Sequence, residues 1–198
     1  MSSENPTTRE RILKAAWQLL EADPGGGVRM SDIAKAAGIS RQAVYLHFPA
    51  RADLLVAATR YIDEVTEADV RLAPSRAAKT GRERLPAYIE AWSNHIPEIH
   101  GVAKALIAMQ ETDEAARVAW ADRLAAIRHG FEAAVRALKL DGDLTLDYSE
   151  TEAVDLLLTL ISVETWESLT VQCGWTQERF IASMQALAAQ TLIVPGKE

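Results

Sequence analysis

Apolar residues recur every three or four positions along almost the whole chain, and no segment alternates strictly as a half-buried strand would. Ile12, Leu13, Ala16, Trp17 and Leu20 trace a first helical face, which the run Asp23-Pro24-Gly25-Gly26-Gly27 must end. Trp17 shares that face with Leu13 and Leu20 and is expected in the core. Ile33, Ala34 and Ala37 form the face of a second helix. Gly38 then suits the left-handed residue that closes a helix and turns the chain sharply. Ser40 is a natural N-cap for a short third helix, which Pro49 stops. A long fourth helix runs through Leu54, Leu55, Ala58, Ile62 and Val65 and is predicted to end near Pro74 to Gly81. Beyond it the spacing predicts helices at 83–96, 98–110, 113–139, 149–172 and 176–193. Their separators are Pro97, the acidic loop Asp141-Gly142-Asp143, and Gly174 with Thr176 as the next cap. The expected fold class is all-α with about nine helices.

The stretch SDIAKAAGISRQAVYLHF, from Ser31 to Phe48, carries the most chemistry. A helix, a glycine turn and a second short helix opening on Arg41 and Gln42 have the spacing of a helix-turn-helix. In that unit the second helix lies in the major groove and presents its first residues to base edges. The net charge of −7 argues against a nucleic-acid binder until it is divided along the chain. Residues 1–60 hold eight basic and six acidic residues, a net +2. Residues 61–198 hold thirteen and twenty-two, a net −9. A mildly basic front on an acidic body suits a DNA-reading module joined to a part that phosphates repel. The domain reading follows: a head over 1–60, with the start of the fourth helix included, and a helical body over 61–198.

The remaining composition excludes more than it identifies. One cysteine, Cys173, allows no intramolecular disulfide and suits a reducing cytoplasm. The richest apolar run, LLLTLIS at 156–162, is far short of the roughly 18 residues of a membrane span, so no membrane partner is expected. The first ten residues are polar and no secretory signal is expected. There is no Gly-rich phosphate loop, nucleophile elbow or pair of catalytic acids on one face, so the chain does not read as an enzyme. His95 and His100 lack the i, i+4 spacing and a third ligand, so no metal or other cofactor is expected.

The first 60 residues resemble the N-terminal domain of the TetR (tetracycline repressor) family of bacterial transcription regulators. The likeness runs from RERILKAAWQLL through SDIAKAAGIS to VYLHFPARADLL and includes Ile33-Ala34, Ala37-Gly38, Ser40, Tyr45, His47-Phe48 and Leu54-Leu55. It implies a homodimer with a three-helix DNA-binding head and a larger helical body that takes a small-molecule effector. Carried onto this sequence, it has Arg41, Gln42 and Ala43 facing base edges, while Tyr45, His47 and Arg51 meet phosphates. Arg can bind guanine O6/N7 and Gln adenine N6/N7 in bidentate fashion, each worth about 1–3 kcal/mol of discrimination. Ser40, Ser31 and Arg29 complete the DNA-facing set. Arg29 stands where the family usually has a capping Ser or Thr. Either Arg29 supplies the phosphate contact as a cation, or Ser31 caps a slightly shorter helix. Ala50 replaces a common capping Ser at a cost of about 1 kcal/mol, partly offset by Asp53 in the first turn.

In the body, Trp92, His95, His100, Met109, Trp120, Phe131, Glu164 and Trp166 are the candidates for an effector site. Aromatic and methionine side chains at helical spacing are more often plain core than pocket lining. Val154, Leu157, Leu158, Ile161 and Leu169 form one late apolar stripe. Phe180, Ile181, Met184, Leu187, Thr191 and Leu192 form another. Paired across a two-fold they give a four-helix bundle, with Leu157, Leu158, Ile161, Leu169, Ile181, Met184 and Leu187 as its dimer interface. The resulting expectation is a cytoplasmic one-component regulator, commonly a repressor. As a homodimer it binds a palindromic double-stranded DNA operator and is released when a small molecule binds the body. The competing reading is a helical ligand-binding or adaptor protein whose head has lost DNA binding.

Overall fold

The computed structural model describes residues 6–23 and 27–195. Among them the only extended pairing is an isolated antiparallel bridge between Leu144 and Ile193, and the chain is otherwise helical as predicted. The helices are α1 (Thr8–Ala22), α2 (Met30–Ala36), α3 (Arg41–His47), α4 (Arg51–Val65), α5 (Ala68–Arg71), α6 (Ala73–Ala77), α7 (Gly81–Met109), α8 (Glu114–Leu140), α9 (Glu150–Leu160), α10 (Val163–Trp166) and α11 (Gln177–Leu192). A π-helical segment, Glu167–Gln172, follows α10. Pro24, Gly25 and Gly26 of the predicted breaker lie outside the described residues; α1 ends at Ala22, just before it.

The chain forms two compact units. The first comprises residues 1–66 and 99–123, the second residues 67–98 and 124–198. In the first, α1 packs on α4 and α2, and α2 on α3. A capping box between Thr7 and Glu10 starts α1. Its face of Ile12, Leu13, Ala16 and Leu20 is buried, as are Ile33, Val44, Leu54, Leu55, Ala58 and Ile62 of the helices around it. Trp17 is only half-buried, at the edge of this core rather than inside it. The end of α7 (Val102, Ala103, Leu106, Met109) and the start of α8 (Ala116, Ala119, Trp120) add buried residues to the same unit. Gly38 has φ of +67°, the left-handed turn expected between α2 and α3.

Three predicted boundaries are corrected. The fourth helix stops at Val65, because Glu67 takes a left-handed conformation (φ 55°) and two short helices, α5 and α6, follow. Pro97 does not divide 83–96 from 98–110; α7 runs unbroken through Pro86 and Pro97. A proline leaves the carbonyl four residues earlier without its helical donor. For Pro97 that carbonyl is Ser93 O, and Gln177 Nε2 donates to it at 2.8 Å. The predicted helix 149–172 is three pieces. Ile161 leaves the helical region, and Ser162 caps α10 by accepting from the Thr165 amide at 3.0 Å. Trp92 Nε1 donates to Ile161 O at 3.0 Å, filling an acceptor at the end of α9. Other starts match the sequence reading: Ser149 with Glu152 makes a capping box for α9, and Thr176 caps α11.

Within the second unit, Tyr88 of α7 and Phe131 of α8 meet edge to face, with ring centroids 4.8 Å apart. The Tyr88 hydroxyl donates to Ile127 O at 3.0 Å, and burial pushes its ionisation well above the ordinary range. Gly130 permits this contact, since a Cβ there would lie 2.1 Å from the Tyr88 ring. Among the described residues no helix is long and apolar enough to cross a membrane.

Candidate DNA interface

The turn between α2 and α3 sets the geometry. Ser40 accepts from the Ala43 amide at 3.1 Å, which fixes the start of α3 so that Arg41 and Gln42 occupy its exposed first turn. Val44 and Phe48 anchor the helix inward, both buried. Arg41, Gln42, Tyr45 and His47 are exposed, and Ala43 is half-buried. Arg41 and Tyr45 hold each other. Arg41 Nη2 donates to the Tyr45 hydroxyl at 3.3 Å, and the guanidinium lies 5.5 Å from the ring centroid. That hydrogen bond also raises the Arg41 pKa, so its charge is secure.

Arg29 is the residue before α2, exposed and making no side-chain cap; Ser31 lies inside the first turn of α2. The alternative in which Ser31 caps a shorter helix is thereby corrected. The helix starts at Met30, two residues before the start such a cap would give, and the Ser31 hydroxyl makes a long contact to Asp32 at 3.5 Å. Ala50 gives α4 no side-chain cap, as its side chain requires.

An open groove of about 480 Å³ joins these pieces. Arg29, Ser31, Arg41, Tyr45 and Arg51 all line it, together with Gly27, Val28 and Met30. Three guanidinium groups, a hydroxyl and a phenol on one surface make an arrangement suited to phosphate oxygens. Asp113 also lines the groove, and sequence reasoning missed it. Arg51 Nη1 reaches both Asp113 oxygens at 2.6 Å, and Arg51 Nε donates to Val28 O at 2.5 Å. The two side chains are 24% and 22% exposed. Asp113 also accepts from the Ala115 and Ala116 amides, at 3.0 and 3.3 Å, at the start of α8. Burial raises its pKa, but Arg51 and the two amides more than offset this and hold the carboxyl below its ordinary value. The sequence signal was an Asp placed to cap a helix; its reach to Arg51 was not visible.

Two further charge contacts tie α4 to α8, about two turns beyond its start. Arg60 Nη2 pairs with Asp122 at 2.6 Å, and Arg123 pairs with Asp63 and Asp122. The α4 helix is thus held along its length, at positions 51, 60 and 63.

The eight effector candidates are divided between the two units. His100, Met109 and Trp120 belong to the first unit; Trp92, His95, Phe131, Glu164 and Trp166 belong to the second. Trp120 lines a space of about 20 Å³ with Thr59, Ile62 and Leu106, room for a water molecule rather than an organic effector. His100 is half-buried, and Met109 is core. Phe131 is fully buried against Tyr88, and Glu164 is exposed. Trp92, His95 and Trp166 are buried, and each makes a ring or polar contact. The Trp92 and His95 rings are 5.8 Å apart, His95 Nδ1 is 3.5 Å from Glu98, and Trp166 Nε1 donates to Gln177 at 2.8 Å. The interface candidates also divide. Leu157, Ile161 and Met184 are buried within the single chain and serve its own core. Leu158, Leu169 and Ile181 are half-buried and Leu187 is 43% exposed, so these four keep some accessible surface.

Residues 12–58 match the family described as bacterial regulatory proteins, tetR family. Over 64 residues the chain is 34% identical to the nucleoid occlusion factor SlmA of Marinobacter nauticus, which is 32% of this chain and 33% of that protein. SlmA of a Marinomonas species is 36% identical over 64 residues, 32% of each chain. The chain therefore spans about a third of the length of the curated relatives it matches. Solved structures match more of it. A Rhodococcus protein assigned to the TetR-family transcriptional regulators superposes with a TM-score of 0.73 at 23% identity, over 93% of this chain and 98% of that one. A Saccharomonospora viridis protein assigned as a transcriptional regulator, solved with choline, gives 0.72 at 22% identity over 94% and 98%. These last two likenesses show the fold.

Proposed function

We propose, from the match of residues 12–58 to the tetR family of bacterial regulatory proteins, that the chain is a one-component transcriptional repressor working as a homodimer on a palindromic operator. The observation that carries this reading is the single groove lined by Arg29, Arg41, Arg51, Ser31 and Tyr45, beside the exposed first turn of α3. Phosphate contacts along the groove fix the register, and Arg41 and Gln42 read base edges. The head over 1–60 is the reading module and the remainder is the effector and dimerisation body. Leu158, Leu169, Ile181 and Leu187 are the exposed remainder of the two late stripes and supply the contact between copies. A dimer sets two α3 helices about one DNA turn apart, roughly 34 Å, so that each reads a half-site.

The ion pairs along α4 give effector binding a route to the head. Any shift in the start of α8 is felt by Arg51, Arg60 and Asp63. An effector that favours one position of this segment changes DNA affinity by its differential affinity for the two states. Trp92, His95 and Trp166, buried in the second unit, are the side chains proposed to meet an aromatic or apolar small molecule.

The test is selection of duplexes from a random pool by the full-length chain, followed by anisotropy titration. A palindromic consensus is expected, and Arg41→Ala with Gln42→Ala should abolish discrimination while the protein stays folded. Unchanged affinity for the consensus in that double variant would exclude direct readout by α3.

A further inference from the structure

One residue on the outward face of α3 carries neither charge nor hydrogen-bonding group. Val44 is fully buried and fixes the inward direction of the helix. At about 100° per residue, Gln42 and Leu46 each point about 160° away from it, and lie within about 40° of one another. Arg41 and Tyr45, held together by their hydrogen bond, flank one side of this strip. Ala43 and His47 flank the other. Leu46 therefore stands at the centre of the exposed face, 80% accessible. A lone exposed leucine is ordinary on a protein surface. This one is distinguished by its place, beside Gln42, where α3 projects farthest from its own core.

Resting on the reading of α3 as a major-groove helix, we propose that Leu46 is a specificity-determining residue that packs on the 5-methyl group of a thymine. That methyl is the apolar group a base pair presents on its major-groove edge. Leucine offers no donor or acceptor. Set against a G·C pair it would cover N7, O6 or the cytosine amino group without replacing the water they lose, which is unfavourable. Over a thymine methyl it removes apolar surface from water on both partners. Gln42, one helical turn earlier, is suited to the adenine N6/N7 edge, so the two side chains together select A·T-containing steps, one by hydrogen bonds and one by methyl contact.

The experiment uses the full-length chain and the duplex it selects from a random pool. Each dT of the consensus is replaced in turn by deoxyuridine, which deletes the methyl and leaves the base-pairing edge intact. One position per half-site should weaken wild-type binding about four-fold, the factor expected for one buried methyl. In Leu46→Ala the same replacement should cost nothing, while Leu46→Met, which keeps an apolar tip, should retain the sensitivity. Both variants should melt within about 1 °C of wild type, as expected for an exposed site. A wild-type scan with no sensitive position overturns the proposal whatever the variants do. So does a deoxyuridine penalty of equal size in wild type and Leu46→Ala. If the chain enriches no duplex at all, the DNA-binding reading falls, and this assignment with it; a consensus without methyl sensitivity removes only the role of Leu46.

Discussion

Arg51 opens α4 and lines the groove beside Arg29 and Arg41. Its position at the start of α4 implies a phosphate contact, yet its guanidinium is held by Asp113 and Val28 O. The groove around it is open, so a phosphate approaching Arg29 and Arg41 meets a cation already shared with a carboxylate. Asp113→Asn should therefore strengthen DNA binding several-fold and steepen its salt dependence, since Arg51 then has no anionic partner but the nucleic acid. The same substitution removes a partly buried ion pair and should cost about 1 kcal/mol of stability. The sign with pH follows from the lowered carboxyl. Because Asp113 titrates below the ordinary 3.8 in the folded chain, its contribution is fully present above that value and is lost as pH falls through the folded one. Urea denaturation from pH 6 to pH 3 should show the gap between wild type and Asp113→Asn closing below about pH 4. A gap that widened on acidification would contradict the assignment. The cap at Ser40 and the turn at Gly38 were legible in sequence because each is decided within a few residues. The Arg51–Asp113 pair spans 62 positions, and no local pattern encodes it.

Helices show the same division between local and distant causes. Starts were readable, since Ser149, Thr176 and Ser40 each carry a hydroxyl that takes an orphan amide of the helix they open. Ends and continuities were not. Pro97 reads as a terminator, yet α7 passes through it because Gln177, distant in sequence, satisfies the carbonyl that the proline abandons. Conversely, the apolar run through Leu157 and Ile161 reads as one helix, but Ser162 restarts the chain and Trp92 takes the freed carbonyl. Gln177→Ala deletes the bonds to Ser93 O and from Trp166 Nε1. It should lower stability by about 1–2 kcal/mol without altering helix content by circular dichroism. Gly130→Ala should be more severe, on the order of 3 kcal/mol, because the new methyl meets a Tyr88 ring already packed on Phe131. Thermal melts of the two variants rank them; a melting temperature for Gly130→Ala equal to wild type would mean that the α7–α8 contact is looser than described.

At the scale of the whole molecule, the all-helical class was legible from periodicity, and the reading head from a single motif of eighteen residues. The effector site was not, because buried aromatic residues such as Phe131 and Trp120 have the same spacing whether they line a cavity or fill a core. The acidic body is consistent with a protein that touches DNA only through its front, where three arginines gather. In the proposed dimer that small head suffices, since two weak half-site contacts made by one pair add their free energies. Leu187→Glu places a charge on the surface left to the partner and should yield a monomer by light scattering, with operator affinity reduced at least a hundred-fold at unchanged fold. The central claim, that this chain reads DNA sequence through α3, is tested most directly by anisotropy titration of the full-length protein. The duplexes are its selected consensus and a scrambled one of the same composition, at near-physiological salt. The account predicts at least a thousand-fold preference for the consensus, reduced to near parity by Arg41→Ala with Gln42→Ala. Equal affinity of the wild-type protein for the two duplexes would contradict it.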